Sequence, residues 1–156
     1  MTDIEGMRLA IAKCRAGIAA GQSPFGAAVV RDGRLVVAAH NTVWRDTDPT
    51  AHAEVNATRE AASVLHTIML HGCTMYTTCE PCPMCLAAIH WAKFDRVVYG
   101  ATIADAEAAG FSELRIPARE LAARGGSRLI VEGDICRAEC WALFDEWKAT
   151  GRSAPY

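Results

Sequence analysis

Apolar residues at Ile4, Met7, Ile11, Cys14 and Ile18 recur at three- and four-residue steps, which predicts an amphipathic helix over 3–20 that Gly21 stops. The pattern then shortens to two apolar runs, 25–30 and 35–39. Arg31-Asp32-Gly33-Arg34 joins them, and an Asp-Gly pair between such runs predicts a β-hairpin. The polar stretch 45–50 holds Pro49 and predicts a loop, with Thr50 as N-cap of a helix over 51–65. A β-prone segment follows at 73–78. Pro81 suits the first position of a helix running to about residue 93, and 96–99 predicts another strand. Strand, helix and strand at this spacing make a parallel βαβ unit. Residues 101–116 are mixed and interrupted by Gly110; 117–124 predicts a short helix, 129–131 a fifth strand, and 135–149 a last helix bearing Ile135, Leu143 and Phe144. The tail 151–156 is not helical. With no repeat, low-complexity tract or linker, residues 1–156 read as one α/β domain.

Composition narrows the class. Of 156 residues, 51% are hydrophobic, enough for a packed core, and the formal net charge of −2 lacks the basic footprint of a polyanion binder. The acidic start Met1-Thr2-Asp3-Ile4-Glu5 is wrong for a secretory leader, and no apolar run reaches membrane length, so a soluble cytoplasmic protein is expected. The seven cysteines are odd in number, which favours metal ligation and buried thiols over a disulfide framework. Cys14 falls on the apolar stripe of the first helix. Cys136 and Cys140 lack further ligands nearby and are expected as core thiols; His66 and His71 are expected on the surface or in loops.

The chemistry concentrates in two short motifs: His52-Ala53-Glu54 and Pro81-Cys82-Pro83-Met84-Cys85. The pair spells H-x-E followed by P-C-x-x-C, the signature of zinc deaminases. Zn²⁺ favours imidazole and thiolate in a tetrahedron, and a catalytic site leaves one corner to water. His52, Cys82 and Cys85 supply three ligands with a formally neutral sum. Glu54 stands roughly 3 Å further along a helix axis than His52, which suits a base acting on water rather than a fourth ligand. Both ligand groups are expected at helix starts facing each other above the sheet, where thiolates are favoured. Two other readings compete. Cys79, Cys82 and Cys85 spell C-x-x-C-x-x-C, but Ile89 stands where an iron–sulfur run needs its next cysteine. Cys79 could also close a structural zinc site. Glu54 beside His52, and Pro81 and Pro83 around Cys82, argue against that. Asn41, just after the second strand, would by itself be read as a cap or turn residue.

Pro24-Phe25-Gly26-Ala27, Asn41, Asp48-Pro49-Thr50-Ala51-His52-Ala53-Glu54 and Thr78-Cys79-Glu80-Pro81-Cys82-Pro83-Met84-Cys85 resemble the cytidine/deoxycytidylate deaminase superfamily. Ile89-His90-Trp91-Ala92, Ala106–Phe111 and Tyr156 are similar to the short bacterial guanine deaminases within it. The resemblance implies a three-layer α/β/α fold with a central five-stranded mixed sheet, a bound Zn²⁺, and deamination of a free purine base, guanine to xanthine and ammonia. It implies that Asn41 hydrogen-bonds the base, Phe25 lines its pocket, and Ala53 and Trp91 belong to the base site. It further implies a domain-swapped homodimer in which 137–156 crosses over, so that the partner subunit's Tyr156 covers the pocket. The family's acid after the Gly-Phe turn, Asp in some members, falls on Glu113 here. Such an acid favours guanine, whose N1–H and 2-amino group form a paired donor edge that one carboxylate can accept. The alternatives are a tRNA adenosine deaminase, a cytosine or nucleoside deaminase, and a non-catalytic zinc module. Against the first, residues 137–156 balance Arg137, Lys148 and Arg152 with Glu139, Asp145 and Glu146, so the end of the chain is no basic arm and nucleic acid is not an expected partner.

Overall fold

The computed structural model describes residues 1–152 and 154–156. Twelve elements follow in chain order: α1 (Asp3–Ala19), β1 (Gly26–Arg31), β2 (Arg34–His40), α2 (Val43–Asp46), α3 (Ala53–Val64), β3 (Cys73–Cys79), α4 (Pro83–Trp91), β4 (Arg96–Ala101), α5 (Ile103–Ala108), α6 (Ala118–Arg124), β5 (Ile130–Glu132) and α7 (Arg137–Ala149). The strands form one mixed sheet in the order β2-β1-β3-β4-β5. β1 runs antiparallel to β2 and β3, while β3, β4 and β5 are mutually parallel.

Period-2 alternation in β1 splits the core. Ala28 and Val30 face one side with Met7 and Ile11 of α1 and Leu143 and Phe144 of α7. Ala27 and Val29 face the other with Ala57 of α3, Leu86 and Ile89 of α4 and Ala122 of α6. Helices thus cover both faces, giving the three-layer α/β/α arrangement with its five-stranded mixed sheet. The β1–β2 turn has Asp32 at φ 51° and Gly33 at φ 69°, the two positive values a tight hairpin turn requires.

α1 opens with a capping box: the Thr2 hydroxyl accepts from the Glu5 amide, and the Glu5 carboxylate accepts from the Thr2 amide. It lies unusually close to the sheet. A Cβ on Gly6 would stand 2.6 Å from the Tyr76 ring, and one on Gly17 would stand 2.7 Å from the His40 ring.

Several boundaries differ from the sequence expectation. Thr50 is not an N-cap: its amide and hydroxyl both donate to Asp48 Oδ1, at 2.8 and 2.7 Å, in a turn that uses up the side chain. His52 takes the cap position instead, so only Glu54 of the H-x-E motif is helical. Pro81 also lies outside its helix. Cys82 is the cap and Pro83 takes the first helical position, where its missing N–H costs nothing. The expected loop at 45–50 begins within the one-turn helix α2. α7 starts at Arg137 after Cys136 in a left-handed conformation, so Ile135 precedes the helix and bonds its amide to the Tyr99 carbonyl at 3.2 Å.

Candidate active site

The ends of β1 and β3 and the starts of α3 and α4 meet at a cavity of about 250 Å³. It is lined by Phe25, His52, Glu54, Cys82, Glu113 and Tyr156 among others. His52 and Cys82 project from equivalent places. Each is a helix N-cap in extended conformation, and neither side chain caps its own helix, which leaves both free to point into the cavity.

His52 Nδ1 lies 3.7 Å from Cys82 Sγ and 3.4 Å from Cys85 Sγ, and the three ligand atoms fall within 4.8 Å of one another. Tetrahedral zinc, with Zn–S of about 2.3 Å and Zn–N of about 2.0–2.1 Å, needs S···N separations of about 3.6 Å. The donor set therefore fits zinc in both spacing and chemistry. Cys82 is drawn down to about 4, first by a hydrogen bond from Cys85 and then, against the cost of burial, by His52. Cys85 is pushed well up as the member that keeps the proton. One thiolate, one thiol and one imidazole crowded together form a site in which a cation can displace that shared proton.

Cys79 stands apart from this group. Its Sγ is 3.6 Å from the Thr102 carbonyl oxygen, the side chain is buried, and burial pushes its thiol well up. Among the described residues the ligand cluster holds three members, so a closed four-ligand site completed by Cys79 is not formed.

Glu54 is 6% exposed behind the cluster, with its Oε1 3.1 Å from the Thr77 hydroxyl. Burial raises its carboxyl, with His52 opposing. Glu113, across the cavity, is raised to about 7, first by burial and then by the charges of Cys82 and Glu54. Two carboxyls of unequal environment thus face one small space.

The remaining expected residues divide. The Phe25 ring forms the cavity wall edge-on to Phe111, centroids 4.9 Å apart. Asn41 is fully buried; its Oδ1 accepts from the Val43 amide at 3.0 Å and its Nδ2 donates to the Tyr156 phenol at 2.7 Å. Tyr156 therefore sits over the cavity of its own chain. Its carbonyl accepts from the Ser112 amide at 3.0 Å, and its ring lies near Trp44 and His52. The cover expected from a partner is supplied here within one chain. Ala53 is buried in the core beneath α3 and does not line the cavity. Trp91 is 75% exposed at the end of α4, with Lys93 Nζ 5.4 Å from its ring centroid. It takes no part in the cavity of its own chain, because the helix carries it to the outer surface.

Three residues escaped the sequence reading. Asn56, one turn past His52, donates to the carbonyls of His40 and Ala51 and to the Thr42 hydroxyl, fixing the approach to the histidine. Thr77 and Glu80 support the site from β3 and from the residue just beyond it. An asparagine among the alanines and valine of the α3 pattern was the available signal for the first, which is half-buried; no local signal marks the other two.

A three-ligand zinc cluster with a buried carboxyl behind it, at the C-terminal edge of a mixed sheet, defines a zinc-dependent deaminase site. The chain belongs to the cytidine and deoxycytidylate deaminase family: residues 1–101 match the model of that family's zinc-binding region. It is 40% identical over 141 residues to the guanine deaminase of Bacillus subtilis, covering 90% of both chains. It is 38% identical over 95 residues to the tRNA-specific adenosine deaminase of Aquifex aeolicus, covering 61% of this chain and 63% of that one. Among solved structures, a guanine deaminase from Nitrosomonas europaea superimposes with a TM-score of 0.88 at 31% identity, covering 95% of this chain and 85% of the other.

Proposed function

We propose that this enzyme hydrolyses guanine to xanthine and ammonia. The observation that carries this reading is the pairing of Glu54 and Glu113 across one small cavity beside the zinc ligands. The sequence likeness to a guanine deaminase over 90% of the chain supports the choice of base, whereas the sequence match to a tRNA adenosine deaminase covers 61% of it.

His52, Cys82 and Cys85 hold the zinc, which when bound supplies a Lewis acid that makes water acidic enough to attack near neutral pH. Glu54 accepts a proton from the attacking water and delivers it to the ring nitrogen beside the amino-bearing carbon. Oxygen bonds to that carbon, the amino group takes up a proton and leaves as ammonia, and the keto product remains. Glu113, poised near 7, suits both the delivery of that second proton and acceptance from the donor edge of the base. Phe25 and Phe111 wall off water, Asn41 holds the Tyr156 phenol, and Tyr156 closes the mouth.

The protein works, in this proposal, as a cytoplasmic homodimer of single-domain chains that binds a free nucleobase and no nucleic acid. No described helix is long and apolar enough to cross a membrane. The exposed Trp91 ring at the end of α4 offers an apolar surface for that dimer.

Ammonia release from zinc-loaded enzyme offered guanine, adenine, cytosine, their nucleosides and a tRNA anticodon stem tests the assignment. Guanine is expected to dominate. Turnover confined to the tRNA stem would replace this reading with the tRNA adenosine deaminase, and no turnover with any substrate would leave a zinc module.

A further inference from the structure

Glu80 is a buried acid, 8% exposed, that the deamination chemistry leaves without a task. It lies between β3 and the zinc ligand Cys82, and its own amide donates to the Ala101 carbonyl at 2.7 Å. Its two carboxylate oxygens diverge. Oε2 accepts from the Ile103 amide at 3.0 Å, at the start of α5, and Oε1 accepts from the Ala118 amide at 2.8 Å, at the start of α6. The segment between these two amides contains Phe111 and Glu113, one wall of the cavity.

That segment is otherwise lightly held on its far side. Phe111 is buried, but Leu114 to Pro117 are exposed. Among the described residues, the backbone bonds donated from Glu113 to Ile116 are local: Glu113 to Phe111 and Ile116 to Leu114. Ser112 reaches only the tail at Tyr156, and Arg115 pairs with Glu107 of the same segment. The return to the body of the protein comes at Ala118, and the group that receives it is Glu80. Pro117, which caps α6, makes no side-chain cap hydrogen bond, so the first amide of that helix depends on the carboxylate. Leaving it buried and unpaired would be costly.

We infer that Glu80 is a positioning residue for Glu113: one carboxylate pins both ends of the segment bearing that acid to the link between β3 and the zinc ligand Cys82. The inference rests on the reading of Glu113 as a proton carrier. A displacement of about 1 Å in such a group can cost about 100-fold in rate, whereas the ligands themselves do not depend on the segment.

Two variants break the clamp from opposite sides. Glu80→Gln keeps the shape but turns one oxygen into an NH₂ donor facing an amide donor. Ala118→Pro removes the amide and leaves Glu80 untouched; Pro117 already holds φ −57° and ψ 140°, the backbone a following proline requires. Zinc content and guanine kinetics would be measured for each, for Glu113→Gln, and for the doubles. Both clamp variants are expected to keep full zinc and lose about 10- to 100-fold in kcat, with a smaller change in KM. Each is expected to add less than about 2-fold to the loss already present in Glu113→Gln, because coupled groups are not additive. Losses that multiply in the doubles, or wild-type kcat in Ala118→Pro, would overturn the positioning role alone. Wild-type turnover by Glu113→Gln would overturn both the proton-carrier reading and the inference. Should Glu80→Gln fail to fold, Ala118→Pro with its double decides.

Discussion

Asn41 Nδ2 donates to the Tyr156 phenol at 2.7 Å although 115 residues separate them in the chain. This bond and the Ser112-to-Tyr156 backbone bond are two fastenings of the tail over the cavity. Tyr156→Phe removes the first and keeps the ring. A hydrogen bond of about 1 kcal/mol corresponds to about a fivefold change in an opening equilibrium. Amide exchange at Ser112 is therefore expected to quicken about fivefold in the variant, read by NMR or mass spectrometry. Unchanged exchange would show that the phenol does not anchor the tail.

Glu54→Gln preserves size and leaves His52, Cys82 and Cys85 in place. Loss of a positioned general acid–base group costs about 10² to 10⁴ in rate, and a drop of at least about 100-fold in kcat is expected with zinc content unchanged. Metal analysis alongside steady-state kinetics checks it. An active, zinc-replete variant would remove Glu54 from proton transfer.

Zinc should also stabilise the fold, because the cluster joins the starts of α3 and α4 and a ligand that binds only the native state raises its stability. Chelation is expected to abolish turnover and lower Tm, with both restored by one equivalent of Zn²⁺. Binding should release protons, since Cys85 keeps its proton in the free site. Calorimetry in buffers of different ionisation enthalpy measures that release; none released would mean that the thiols do not both ligate as thiolates.

Far from the site, Asp3 receives both ends of the Arg96 guanidinium, at 2.6 and 2.7 Å, and the Tyr76 hydroxyl at 2.8 Å. The Arg96 hydrogen bond is the chief reason that the Asp3 carboxyl titrates below the ordinary aspartate range, burial opposing. A depressed acid stabilises the fold fully above its unfolded value and ceases to do so as pH falls through the folded one. Tm is thus expected to fall more steeply below about pH 4 in the wild type than in Asp3→Asn, while at pH 7 the variant is the less stable. Parallel Tm curves from pH 2 to 7 would refute the linkage.

Much of this architecture was legible because it is periodic. The Asp32-Gly33 turn and the stripe from Met7 to Ile18 act locally and formed as expected, while Ile4, in the first turn of α1, is exposed. The zinc trio was legible because ligand chemistry demands particular residue types at close spacing. Errors arose where a residue serves two ends. His52 and Cys82 stand at helix caps, which the sequence reading placed at Thr50 and just before Pro81; the Asp48 turn occupies the Thr50 side chain, and Pro83 rather than Pro81 takes the first helical position. Trp91 was expected in the base site through its resemblance, yet the end of α4 carries it to the outer surface of its own chain. Glu80 and Thr77 were invisible for a different reason. Their partners are backbone amides and a carboxyl more than 20 positions away, and nothing in local pattern encodes such pairings.

Gly6 and Gly17 allow α1 to press against Tyr76 and His40, and each costs helix propensity, about 0.5–1 kcal/mol relative to alanine. A peptide of residues 1–20 should accordingly be mostly coil in water. α1 would then settle late, once the sheet that carries Tyr76 and His40 has formed beneath it.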